Sequence, residues 1–339
     1  MFFSKTNNDD TIYDETIECN GKGDINYNNL KRLYSLMSND SPKFSKVRNK
    51  VKVMKSGRSG EKNVLSSLTH CGISPMLILH DIHFPLKNKS CGTTSQIDYI
   101  IITLSNIILL ECKNFSDNCN LEITLNGHWI AKYKNNIIKL KNPVTQNAEH
   151  LKTLFSIIDS SGNRLMKKLK NKDGFFQNFC VISGYPNLDN NMYTNDVTKN
   201  VIQNDDIINR FKVLNNNVIS KAQMIDIKDF FLQNQVEGKI TNWFEKFNIS
   251  LNDLKDFKEM TMYKNLQAFR KQIASHKEID CWKVFKNDSM KQFIMLYYQF
   301  NPKDLDELLS ISDFLKIPEL SVDQIQEYGD SIIEILKKH

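Results

Sequence analysis

Residues 95–114 read Ser95-Gln96-Ile97-Asp98-Tyr99-Ile100-Ile101-Ile102-Thr103-Leu104-Ser105-Asn106-Ile107-Ile108-Leu109-Leu110-Glu111-Cys112-Lys113-Asn114. Two isoleucine-rich runs, Gln96 to Thr103 and Asn106 to Phe115, meet at Ser105-Asn106, a gap short enough for a hairpin. In a strand, residues two apart share a face. Gln96 therefore points with Asp98, and Glu111 with Lys113, while Cys112 points to the opposite face as a packing residue. Laid side by side, the strands bring Asp98, Glu111 and Lys113 into one polar cluster at the end of otherwise apolar segments.

Two acids and an amine in that arrangement suit metal-assisted phosphodiester hydrolysis. Asp98, Glu111 and the main-chain carbonyl of Cys112 offer hard oxygen ligands to Mg²⁺ or Mn²⁺. A cation there lowers the pKa of its water and stabilises charge growing on phosphorus; Lys113 positions the nucleophile or shares that charge. The same residues also describe a buried Asp/Glu/Lys ion-pair network at a strand end. The spacing of Asp98, Glu111 and Lys113 does not by itself separate the two readings.

Working outward, Met76 to Phe84 reads as a preceding strand. A helix is predicted from about Gly60, with Glu61, Val64, Leu65 and Leu68 on one face. A carboxylate at the head of a core-facing stripe is out of place unless something beneath it favours negative charge, so Glu61 joins the candidate catalytic set, with Gln96. His80-Asp81-x-His83 lies on a strand with the two histidines on opposite faces, which argues against a metal pair. Between Asn120 and Leu140 there is further β signal, with turns at Gly127 and Asn135-Asn136 and Trp129 packing on a sheet. After Asn142-Pro143, Thr145 is the expected N-cap of a helix carrying Leu151, Leu154, Phe155 and Ile158. Glu149-His150 reads as surface, with a phosphate contact as the lesser alternative. Phe175 to Ser183 is a further strand. The order helix, three strands, insertion, helix, strand is that of an α/β core with a mixed sheet.

The flanks differ in character. Residues 1–25 are polar and Asn-rich and are expected to lack structure, followed by a short helix over Asn28 to Met37. From about residue 219 the pattern is helical, with a capping box at Ser321 and Gln324. The expected division is a polar extension at 1–45, an α/β domain at 46–235, a helical linker at 236–260 and a small all-α domain at 261–339.

With 339 residues, 40% hydrophobic and 25% charged, the chain has matter for two domains. No segment reaches the roughly 18–20 apolar residues of a membrane span, and the start is no signal peptide. The seven cysteines are odd in number and lack a C-x-x-C pair, which argues for a reducing, cytoplasmic setting without a zinc site. The net charge of +6 is unevenly spread: residues 41–175 carry 21 Lys and Arg against 9 Asp and Glu, and residues 240–339 carry 14 against 16. The densest runs include Arg58 and Lys62, then Arg164, Lys167, Lys168 and Lys170. Such a field favours a polyanionic partner.

Five ordered blocks carry a family resemblance: Gly60-Glu61-Lys62, Ser95-Gln96-Ile97-Asp98, Glu111-Cys112-Lys113-Asn114, Trp129, and Asn142-Pro143-Val144-Thr145-Gln146-Asn147. Over about residues 55–185 the chain resembles the NERD, or nuclease-related, domain. That family is assigned to the PD-(D/E)XK superfamily, so the resemblance implies a restriction-endonuclease-like core, a mixed β-sheet flanked by helices. It implies that Asp98, Glu111 and Lys113 are the acidic pair and lysine, Glu61 the first-helix glutamate, and Gln96 and Gln146 the recurrent glutamines. Residues 261–339 resemble an HRDC domain through Leu266 to Ala274, Val284 to Met290 and Ile325 to Gly329. The departure lies at Ser312 to Glu319, which is longer and lacks the usual glycines. The acidic balance argues against strong autonomous DNA binding.

The resulting expectation is a Mg²⁺- or Mn²⁺-dependent deoxyribonuclease with an HRDC-like module. Its expected nucleic-acid contacts are Gln146, Arg164, Lys167, Lys168, Lys170, Arg58 and Lys62. DNA is the expected partner, with RNA, a homodimer and a helicase or defence-complex protein left open. The alternative is a non-catalytic nucleic-acid-binding adaptor that keeps the nuclease fold.

Overall fold

The computed structural model describes residues 14–86, 93–124, 127–134, 136–188, 199–212, 217–255, 260–299, 310–315, 317 and 319–338. Expectations for residues 1–13, Cys91 and Asn135 lie outside the described residues. The chain divides into two compact units, one of residues 1–23 and 54–239, the other of residues 24–53 and 240–339.

In the first unit, strand β1 (Asp14–Glu18) is followed by the later turns of a helix, and by β2 (Met76–Pro85), β3 (Thr94–Thr103) and β4 (Ile107–Asn114). The expected strands appear within one or two residues of their expected limits, because each is an apolar run bounded by polar residues. Strands β2, β3 and β4 form an antiparallel meander. Strand β1 adds parallel to β2, against the expectation that residues up to 25 lack structure. Its residues are mostly exposed, so the ladder is made by main chain and leaves little trace in hydropathy.

Next come β5 (Asn120–Ile123), β6 (Trp129–Tyr133) and β7 (Asn136–Leu140), then α3 (Pro143–Ser160), α4 (Arg164–Lys170), β8 (Phe176–Ser183), β9 (Asn187–Leu188) and β10 (Val201–Gln203). Helices α5 (Ile207–Lys212) and α6 (Lys221–Asn234) complete this unit. The main sheet is six-stranded and mixed, ordered β1-β2-β3-β4-β8-β10, with β4, β8 and β10 parallel. A second sheet, ordered β7-β6-β5-β9, joins the three insertion strands to β9; Trp129 is buried there with Leu121, Ala131 and, from β8, Cys180. The α3 N-cap is Asn142, not Thr145: its side chain accepts from the Val144 and Thr145 N–H groups, and Pro143 starts the helix with a preset φ.

Helix α2 (Phe44–Thr69) begins sixteen residues ahead of Gly60. Its early turns are Lys- and Arg-rich, which suits a helix but hides the apolar stripe. One core lies between the sheet and α3, α4 and α6, through Leu109, Ile100, Leu154, Met166 and Ile227. Another lies on the opposite face beneath α2 and α5, through Val64, Leu68, Ile108, Leu110, Ile207 and Phe211.

The second unit is helical. It holds α1 (Gly23–Leu36) from Asp24 on, the start of α2, α7 (Trp243–Lys246), α8 (Thr261–His276), α9 (Cys281–Val284), α10 (Asn287–Gln299), α11 (Ile311–Phe314) and α12 (Val322–Lys337). The expected capping box at Ser321 and Gln324 opens α12. Residues 24–53 belong to this unit rather than to an extension, and residues 240–255 pack with them rather than link domains. Trp243 donates to the Asn26 carbonyl at 2.8 Å, Lys43 pairs with Asp253 at 2.9 Å, and Met37 bridges Leu254. No helix among the described residues is long and apolar enough to cross a membrane.

Candidate active site

The site grows from an irregular rung of β2 and β3. Their ladder runs from Met76 with Thr103 to His80 with Tyr99 and resumes at Ile82 with Ile97, leaving Asp81 and Asp98 outside it. Leu79 and Ile82, three residues apart, face the same core, as do Ile97 and Ile100. Both strands therefore break their two-residue alternation at this point. Asp81 adopts a left-handed φ of 54°, which an aspartate tolerates better than most residues. Its carboxylate accepts from the Gly23 N–H at 3.3 Å and Gln96 Nε2 at 2.7 Å, and lies 3.2 Å from His83 Nε2.

On the other side of β3, the ladder with β4 ends at Tyr99 and Leu110, so the same register carries Asp98 to a position across from Glu111. Asp98 Oδ2 accepts the Cys112 N–H at 2.7 Å. Burial pushes the Asp98 carboxyl well above the usual range, and the charges of Glu111 and Glu61 push it further. Glu111 is buried. Its Oε1 accepts from Lys113 Nζ, and its Oε2 lies 3.6 Å from His150 Nε2. Burial would raise Glu111 too, but the contact with His150 and the charge of Lys113 outweigh it and hold this acid below its ordinary value. For Lys113, burial acts to lower the pKa, and Glu111 overcomes it to keep the amine protonated.

Helix α3 delivers His150. Asn147, buried one turn earlier, donates to the carbonyls of Leu109 at 3.1 Å and Phe179 at 2.9 Å, which fastens α3 across β4 and β8. His150 Nδ1 is 2.6 Å from Ser95 Oγ, and Gln146 Nε2 is 3.4 Å from His150 Nε2. The expectation that His150 is a surface residue is therefore corrected: its side chain is 12% exposed. The signal was present, since His150 lies four residues after Gln146 and so on the same helical face.

Helix α2 closes on the same end of the sheet. A Cβ on Gly60 would lie 2.6 Å from Asn114 Cβ, so only glycine allows this approach. Asn114 Nδ2 donates to the Ser56 carbonyl at 2.8 Å and meets Ser56 Oγ at 3.1 Å. Glu61 follows at once, but its carboxylate is engaged with His80 Nε2 at 3.4 Å. Glu18 Oε2 holds His80 Nδ1 at 2.7 Å, and the imidazole stacks on Tyr99. Burial disfavours the His80 cation, yet Glu18 and Glu61 raise its pKa to about 10.

The structure thus gathers Asp98, Glu111 and Lys113. Glu61 reaches this group by its field on Asp98, with His80 as its direct partner. Gln96 is exposed and bound to Asp81, not to the three. The Cys112 N–H serves Asp98 while its side chain packs toward the α2 core. Lys62 is exposed and Arg58 half-buried on α2, beside Gly60 and Glu61. Arg164, Lys167, Lys168 and Lys170 lie on α4, which leads into β8 at the Ile107 end of β4. Glu111 is four residues along β4 from Ile107, about 13 Å at strand spacing. Lys170 there pairs with Asp159. His80 and His83 have separate partners, Glu18 and Glu61 for the first, Asp81 and Thr94 for the second.

Among the described residues no group of three or more His, Cys, Asp and Glu side chains is placed to hold a metal ion. Asp98 and Glu111 are the two hard carboxylates that this site offers a cation. The six described cysteines are free thiols, and burial pushes the Cys112 thiol well above its ordinary pKa, with Asp98 adding to the effect.

No curated protein and no solved structure matches the chain. Residues 56–183 match the family model of NERD, the nuclease-related domain. That span runs from Ser56, where Asn114 ties α2 to β4, to the last residue of β8, and contains Glu61, Ser95, Gln96, Asp98, Glu111, Lys113, Gln146 and His150. The stretch of chain that builds the site is thus similar to the nuclease-related domain.

Proposed function

We propose that this protein is a divalent-metal-dependent nuclease of the PD-(D/E)XK type that hydrolyses DNA phosphodiester bonds. The observation that carries the reading is the pairing of a charge-crowded acid, Asp98, with an ion-paired acid, Glu111, beside a protonated Lys113, within a stretch similar to the nuclease-related domain. Asp98, Glu111 and the Cys112 carbonyl would hold Mg²⁺ or Mn²⁺. When bound, such a cation supplies an activated water and a counter-charge for the phosphoryl oxygens. The chemistry of the donors fits, because hard carboxylate oxygens suit these ions and like-charge crowding at Asp98 is what a cation relieves.

The chain's own residues have separable tasks. Lys113 keeps its proton and offers N–H bonds to the attacking water or to a non-bridging phosphate oxygen. Asp98 is fixed through Oδ2 by the Cys112 N–H, and Oδ1 is assigned to the cation. Glu61 adds negative potential from α2. Gln146, Arg58 and Lys62 lie on the helices flanking this end of the sheet and are assigned to the nucleic-acid backbone. The helical unit is assigned an HRDC-like role in holding nucleic acid or a partner, in keeping with a defence against foreign DNA.

A second reading has its own support. Glu111 is already satisfied by Lys113 and His150, as in a structural network of a non-catalytic DNA-binding adaptor. Cleavage assays of the full chain with Mg²⁺ and with Mn²⁺, on duplex DNA, single-stranded DNA and RNA, separate the two. Lys113→Ala and Asp98→Ala are expected to lower cleavage at least about 10²-fold while circular dichroism stays unchanged. Equal behaviour of the wild type and both variants on all three substrates rejects the enzyme.

A further inference from the structure

We infer that His150 is a positioning residue for Glu111, oriented for that task by Ser95. The inference rests on the nuclease reading and concerns how one of its acids is aimed. The two oxygens of Glu111 face different elements: Oε1 takes Lys113 from the same strand, and Oε2 faces His150 Nε2 at 3.6 Å from α3. The Lys113 contact is internal to β4 and cannot fix the carboxylate relative to the rest of the sheet. His150 can, because α3 is pinned by Asn147 to the carbonyls of Leu109 and Phe179. Each is next along its strand to a member of the pair Glu111 and Cys180, or one residue further.

The hydrogen accounting favours one arrangement. A carboxylate only accepts, so the imidazole nitrogen that faces it carries the hydrogen, and in that arrangement the Gln146 amide presents its oxygen rather than its nitrogen to the same Nε2, 3.4 Å away. In a neutral ring Nδ1 is then bare, and the buried Ser95 hydroxyl, 2.6 Å away, donates to it. Ser95 stands on β3 three residues before Asp98. One chain of contacts therefore joins β3, α3 and β4, and it sets the angle at which Glu111 meets whatever Asp98 meets.

A ligand carboxylate that is oriented by an outer partner loses affinity for its cation when that partner is removed, commonly by 10- to 100-fold. The test is calorimetric titration of the full-length protein with MnCl₂ in the absence of nucleic acid, alongside kcat and KM for DNA cleavage. His150→Ala is expected to weaken Mn²⁺ binding by about 10-fold or more, with kcat at limiting cation falling and KM for DNA little changed. Ser95→Ala should move Mn²⁺ affinity the same way by less, and His150→Gln, which retains an N–H donor, should recover part of the loss. If the wild type binds Mn²⁺ and folded His150→Ala binds it equally well, the inference is overturned and the nuclease reading stands. Should His150→Ala fail to fold, Ser95→Ala decides, and unchanged Mn²⁺ affinity in it overturns the inference. A wild type that takes up no Mn²⁺ removes the metal-dependent reading and this inference together.

Discussion

Asp98 carries the least comfortable charge of the described site. Burial and the neighbouring Glu111 and Glu61 raise its pKa, so the folded state binds a proton more tightly there than the unfolded chain does. Its stabilising contribution is present below the unfolded value near 4 and is lost as pH rises through the folded value. Glu111 behaves oppositely: its depressed pKa adds stability above the ordinary carboxylate range, and this is lost on acidification. Asp98→Asn should therefore stabilise the protein in chelator at pH 7 by on the order of 1 kcal/mol, or about 2–4 °C in Tm, and flatten the fall in Tm that sets in as pH rises above about 4. Added Mg²⁺ should raise the wild-type Tm and leave that of Asp98→Asn nearly unmoved. Calorimetric scans across pH, with and without cation, read both outcomes; a Tm for Asp98→Asn below that of the wild type would count against the crowding. The trio itself was legible because strand alternation and a short hairpin fix which residues share a face. The partners of Glu61 and Gln96 were not, because the break at Asp81 and Asp98 depends on a left-handed backbone that no apolar pattern records.

At the scale of elements, the approach of α2 to β4 depends on a missing side chain. Gly60→Ala would place its Cβ 2.6 Å from Asn114 Cβ, so the helix must move away or Asn114 must release Ser56. A loss of about 1–3 kcal/mol is expected from such overpacking, with cleavage falling further than stability because Glu61 and Asn114 shift together. Urea titration beside initial-rate measurement reads this; an unchanged midpoint and rate would mean the contact is slack. The Gly60-Glu61 pair was readable as unusual, whereas the true start of α2 at Phe44 was not. Lysine and arginine cover the exposed face of those turns, and Val47 alone among Phe44 to Met54 is buried. Strand β1 escaped for the related reason that an edge strand held by main-chain bonds needs no apolar alternation. At α3, Asn142 displaced Thr145 because a proline at the first helical position fixes where the helix begins.

For the whole molecule, composition anticipated two units but not their membership. Residues 24–53 join 240–339, and contacts more than 200 residues apart in sequence, such as Lys43 with Asp253, leave no local trace. Charge is distributed more legibly. The excess positive residues fall within 41–175, and the α4 lysines lie at the end of the main sheet away from Glu111. On a duplex long enough to reach both, each of Lys167→Ala and Lys168→Ala should reduce the slope of log K against log salt by about 0.9. Cleavage of a short oligonucleotide at saturation should be unaffected. A slope identical to the wild type, from binding titrations at several salt concentrations, would remove α4 from the interface.

The double bond of Asn147 to two parallel strands has one more implication. Because α3 takes its register from the carbonyls of Leu109 and Phe179 and from its cap, where Asn142 Nδ2 donates to the Gly127 carbonyl at 2.8 Å, the turn between β6 and β7 stands outside both attachments. That segment is a natural place for variation in length, for a grafted recognition loop or for an inserted reporter, with the imidazole opposite Glu111 held where it was.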